Sequence, residues 1–296
     1  MRDPSGRNLV LSNAHYRAEV VTVGATLRSL THGAEDLVAG WPVGEINPQY
    51  RGWIMMPFPN RIADGVWELD GTTHRLALTE PERGHALHGL TGWVEWDVVH
   101  HDDSRASLRY ELPPQTGYPF ALDLNADYVL GEDGLRCTLG ATNVGTTAAP
   151  YGTGHHPYVT LGRKLDDLVL TMEATTYCPM DERCLPEAPV PVDGTAFDFR
   201  GGRPIGNVVL DHPFTGLTSN VVTLADPDSG RQIRMELGAG FDWVHLFSSD
   251  PHEGAQHRAA LGLEPMTCPP ESFNTGNDLV VLQPGESHQA WFQLSR

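Results

Sequence analysis

Long apolar runs are missing from this 296-residue chain, and that absence limits what it can be. No stretch approaches the ~18 consecutive apolar residues of a membrane-spanning helix. Nor does the opening MRDPSGRNLVLSNAHYRAE pair a basic segment with an apolar one, as a secretory signal would. Cysteine is scarce: Cys137, Cys178, Cys184 and Cys268 form no CxxC pair and no metal-ribbon spacing. Free thiols in a cytoplasmic protein are the expectation. Basic charge is short as well, with 20 Lys and Arg against 38 Asp and Glu, a net charge of −18. Such a surface repels phosphate backbones and anionic lipid, so neither nucleic acid nor a membrane is an expected partner. Lysine is almost absent, Lys164 standing alone among arginines. Sustained helical periodicity is missing too, for no segment of twelve or more residues carries it.

What is present is short alternating or apolar runs, one after another, bounded by turn residues. Strands are expected over 8–12, 18–30, 74–78, 95–100, 106–112, 122–130 and 135–142. More are expected over 168–176, 221–224, 232–237, 243–247 and 289–294. Asp70-Gly71, Asp133-Gly134, Asp193-Gly194, Ser229-Gly230 and Pro284-Gly285 punctuate them. Many short strands at regular spacing imply an all-β fold, an antiparallel sandwich or barrel, over residues 1–296 as a single domain. The proline-rich stretch 178–204 reads as a long irregular excursion.

Four segments depart from strand-and-turn logic: PFPNRI at 57–62, HALHGL at 85–90, GHHPY at 154–158 and LGLEPMTCPPESFN at 261–274. Each sets a His, Arg or Glu among Gly, Pro and aromatics, as functional loops do. LDHPFTGL at 210–217 adds Asp211 in similar surroundings. Singly, each has a plainer account. Arg61 suits a surface ion pair, His88 and His156 suit hydrogen-bonded core positions, Glu264 suits a solvent-facing strand end, and Asp211 suits a turn cap. Five such segments in this order point elsewhere.

Asn60-Arg61-Ile62 with Leu69-Asp70-Gly71, then Leu87-His88-Gly89, His156-Pro157-Tyr158, Asp211-His212-Pro213-Phe214 and Leu263-Glu264 resemble the aldose 1-epimerase (galactose mutarotase) family. The ending EPMTCPPESFN is most similar to its bacterial branch. The resemblance implies a large antiparallel β-sandwich with the site in a cleft on one sheet. It also implies His156 as general acid, Glu264 as general base, and Arg61, His88 and Asp211 as ligands of sugar oxygens, with Asn60 beside them. The implied substrate is a small-molecule sugar, a free hexose, and the implied reaction interconverts its α and β anomers. Ring opening needs one group to take the C1 hydroxyl proton and another to protonate the ring oxygen, which a carboxylate and an imidazolium suit. That chemistry implies no cofactor and no metal. A nearby Glu264 carboxylate is expected to raise the pKa of His156 and keep it protonated. Tryptophans 53, 93, 96 and 243 are candidates either for stacking on sugar or for the core.

The pattern departs from the family at several points. His155 precedes His156 where Asn is frequent; on a strand the two point to opposite faces, and His156 keeps the spacing to Tyr158. His245 stands where relatives carry a Gln contacting the sugar, and Leu90 replaces the second Gly of LHGG. Glu271 competes with Glu264 as base, though the Leu-Glu context favours Glu264. Alternatives are an epimerase for a phosphorylated or sulfonated sugar, with Arg51 and Arg83 helping Arg61, and a non-catalytic carbohydrate-binding sandwich. A glycosidase using Asp211 and Glu264 and a metal hydrolase drawing on 14 histidines are further rivals. No HxH or HExxH spacing supports the last. Neither the preferred sugar nor the oligomeric state is legible.

Overall fold

Period-two burial builds nearly the whole molecule. In the strand Leu122–Gly131, Leu122, Leu124, Ala126, Tyr128 and Leu130 are buried while the residues between them face outward. The computed structural model describes residues 3–296; among these, the one α-helix is the four-residue Ser272–Thr275. Nineteen strands join into one hydrogen-bonded sheet. Its antiparallel pairings run from Asn8–Ser12 through Tyr16–Val21, Thr26–His32, Glu35–Val38 and Tyr158–Val159 to Leu261–Met266. They continue through Trp243–Phe247 to Asp211–Ala225. From there the pairings pass to Gln232–Leu237, Ser287–Ser295, Gly134–Asn143, Leu122–Gly131, Arg105–Leu112 and Asp97–His101.

The 15-residue strand Asp211–Ala225 is the hinge of this arrangement. Its first residues pair with Trp243–Phe247 and its last with Gln232–Leu237, so one strand serves both layers. The far ends approach one another, where the Ser12 amide donates to the Asp103 carbonyl at 2.8 Å. The result is an all-β, nearly closed antiparallel supersandwich with its apolar core running from Leu9 to Leu294.

Three expected strands are corrected. Residues 18–30 form two strands, because Gly24 and Ala25 turn with φ of 70° and 47°. Residues 221–224 are the tail of the long strand; the exposed Gly216, Thr218 and Asn220 before them hide its length. Of 74–78, only the beginning is strand, within Thr72–Arg75. The excursion 178–204 holds two two-residue strands, Val190–Pro191 and Arg203–Pro204, and is otherwise irregular.

Candidate active site

Three adjacent strands lay the floor of a cleft of about 200 Å³. His245 is the direct cross-strand partner of Glu264, and Asp211 that of Phe247. With a side-chain period of two, Asp211, His245, Phe247 and Glu264 share one face, and all four line the cleft. Glu264 sits mid-strand at 1% exposure rather than at a solvent-facing end.

The opposite wall comes from the glycine- and proline-rich loops. The strand Arg61–Ala63 pairs with His85–Leu87, and the His88 amide donates to the Asn60 carbonyl at 2.9 Å. Asn60 and His88 both have positive φ, 54° and 59°. Each left-handed non-glycine residue costs ~1–3 kcal/mol, and here the strain aims both side chains into the cleft. His156 is anchored by its backbone, its amide on the Trp53 carbonyl at 2.9 Å and its carbonyl receiving the Gly52 amide at 2.8 Å. Tyr158 stacks on its ring, centroids 5.0 Å apart.

The structure thus brings all seven residues singled out from the sequence onto one cleft: Asn60, Arg61, His88, His156, Asp211, His245 and Glu264. His155 points the other way, into the core, where its Nε2 meets the Tyr128 hydroxyl at 3.1 Å. Glu271 does not line the cleft. It fastens the Arg61 strand, its amide donating to the Arg61 carbonyl at 2.9 Å and its carboxylate accepting the Ala63 amide. No tryptophan lines the cleft; the aromatic walls are Tyr50, Tyr158 and Phe247. Arg51 lies outside it, its guanidinium over the outer side of Tyr158.

Glu80 is the residue sequence reasoning missed. Its carboxylate grips Arg61 bidentately, Nε to Oε2 at 2.8 Å and Nη2 to Oε1 at 3.0 Å, and also accepts Arg83 Nη1 at 2.8 Å. The only sequence signal was an acid in a Glu-Pro-Glu-Arg-Gly turn five residues before His85. His252, Gln49 and Pro251 at the rim were also unforeseen.

Electrostatics turn on burial. His156 Nε2 and Glu264 Oε1 stand 3.3 Å apart, both side chains almost wholly enclosed. Desolvation, then the neighbouring His245, pushes the His156 imidazole down to about 3. Desolvation and Asp211 push the Glu264 carboxyl well above its ordinary range. The expectation of an imidazolium held by a carboxylate is therefore corrected: burial works against the charged form of both groups, and for His156 it outweighs the attraction of the carboxylate. His88 is kept neutral by burial and by His156. Burial favours a neutral Asp211, but a 2.7 Å hydrogen bond with His245, aided by Arg61, holds its carboxyl well below the usual range.

A supersandwich with a buried imidazole–carboxyl pair in a polar cleft belongs to the galactose mutarotase-like sugar isomerases. Within that class the chain belongs to the aldose 1-epimerase family, whose model matches residues 7–295. The uncharacterized Escherichia coli (strain K12) protein YihR is 32% identical over 98% of this chain and 93% of its own. Human galactose mutarotase is 26% identical over 99% of this chain and 96% of its own. The crystal structure of a GalM/aldose epimerase homologue from C. elegans superposes with a TM-score of 0.86 at 22% identity, covering 98% and 99% of the two chains. Family membership brings isomerase chemistry on a sugar.

Proposed function

We propose that the protein is an aldose 1-epimerase that interconverts the α and β anomers of a free, uncharged hexose such as galactose or glucose. The observation that carries this reading is the 3.3 Å approach of His156 and Glu264, two buried groups of opposite proton affinity. Mutarotation asks for one proton in such a pair. The carboxylate of Glu264 takes the proton from O1, the imidazolium of His156 gives one to the ring oxygen, and the C1–O bond opens as the C1 carbonyl forms. After rotation about C1–C2 both transfers run backward and the ring closes on the other face.

Burial opposes this ionised arrangement, so contacts with the sugar must favour it. Glu264 Oε2 is buried without a hydrogen-bond partner among the described residues, so a sugar hydroxyl donating there favours the ionised carboxylate. An uncharged substrate suits the lining. Arg61 and Arg83, the two basic side chains along it, both pair with Glu80. A lectin would have no use for the buried acid–base pair.

The test is the optical rotation of freshly dissolved α-galactose and α-glucose. Wild-type protein should hasten equilibration, and His156→Ala and Glu264→Gln should each lose ~10²–10⁴-fold of the rate. Acceleration that survives both substitutions would place the chemistry elsewhere. Cleavage of a chromogenic glycoside would instead support a glycosidase.

A further inference from the structure

Arg61 is a buried guanidinium whose five N–H donors are nearly all assigned. Nε and one Nη2 hydrogen go to Glu80, at 2.8 and 3.0 Å. Nη1 faces the Asn60 side-chain oxygen at 3.4 Å and the Cys184 carbonyl at 3.3 Å. One Nη2 hydrogen is left for the cleft. The fork geometry of a bidentate pair fixes the guanidinium plane, so the carboxylate decides which hydrogen stays free and where it points.

Glu80 is itself held. Its carbonyl accepts the Gly84 and His85 amides at 2.9 and 3.1 Å, and Arg83 binds the same Oε1 that receives Arg61 Nη2. It is 7% exposed. Glu80 thus orients the arginine, and together with Asp211 it offsets the two guanidinium charges of Arg61 and Arg83, leaving a single directed donor suited to a neutral sugar oxygen.

We propose that Glu80 is the positioning residue of this site. Through Arg61 it sets the affinity for uncharged aldoses and disfavours those that carry an acid group. The inference rests on the mutarotase reading for its substrate and is tested separately from it.

Glu80→Gln, Glu80→Asp, Arg61→Lys and the double variant Glu80→Gln/Arg61→Lys are compared, with circular dichroism recording the fold. Galactose affinity is read both as KM in polarimetry and as Kd by calorimetry. Losing the charged clamp should raise KM about tenfold with kcat nearly unchanged. Glu80→Asp should recover part of that loss. The double variant should be no worse than Arg61→Lys alone, because both changes disable one unit. Glu80→Gln should also improve binding of galacturonate relative to galactose. Additive losses in the double variant, a fall confined to kcat, or an unchanged galacturonate preference would overturn the proposal. If Glu80→Gln fails to fold, Glu80→Asp against Arg61→Lys carries the same comparison. Wild-type binding without turnover would sink the mutarotase reading alone, and Glu80 is then judged on Kd. Absence of both binding and turnover would overturn both.

Discussion

Acid–base catalysis by His156 and Glu264 requires one proton between the two side chains, and the pH dependence of the reaction follows from that count. The pair is competent with one proton and incompetent with two or none. A second proton joins as the pH falls through about 3, where His156 is placed, instead of near its ordinary 6.5. The single proton leaves as the pH rises through the raised value of Glu264, above the ordinary 4.5. The profile of kcat/KM, which reports the free enzyme, should therefore be bell-shaped with its acid limb well below 6.5. An acid limb centred near 6.5 would mean that His156 titrates as it does in water. Because the two groups interact, the limbs belong to the pair and not to either residue.

Among elements, the turn between Leu87 and Leu90 is tightly constrained. Gly89 has φ of +78°, and a Cβ there would lie 2.1 Å from the Met56 carbonyl oxygen. That neighbour is backbone and does not yield as a flexible side chain would. Gly89→Ala should destabilise the protein by roughly 2–4 kcal/mol and impair turnover, because His88 adjoins the strained bond. Thermal melts and polarimetry on the same sample check both, and an unchanged melting temperature would show that the two segments separate freely. These segments also mark what was legible beforehand. PFPNRI, HALHGL, GHHPY and LGLEPM stood out because their glycines and prolines break alternation just where polar side chains occur. Glu80 did not stand out, since its role depends on a partner 19 residues away that only the fold brings near. The length of Asp211–Ala225 was hidden similarly, because a strand crossing between layers exposes its middle and loses the buried alternation there. The lowered His156 and raised Glu264 were hidden too, because burial outweighs the mutual attraction that sequence alone suggests.

Across the whole molecule, distant segments share one core. The strand Ser287–Ser295 pairs with both Gly134–Asn143 and Gln232–Leu237, and one apolar cluster spans Leu9 to Leu294. We therefore expect heat to unfold the chain in one transition, by calorimetry and tryptophan fluorescence alike. Two resolved transitions would divide it into separate domains. The proline-rich excursion helps tie the wall of the cleft to this core: its Arg183 carbonyl meets His85 Nε2 at 3.0 Å, and its Val192 and Phe199 lie in the apolar cluster. Cys137, Cys178 and Cys268 are buried, whereas Cys184 on that excursion is partly open and offers its carbonyl to Arg61. Burial and the nearby Asp211 raise its thiol, which slows its reaction with electrophiles. The thiol nonetheless stands beside Asp211 and Arg61, so a bulky group attached there would crowd two polar side chains of the cleft.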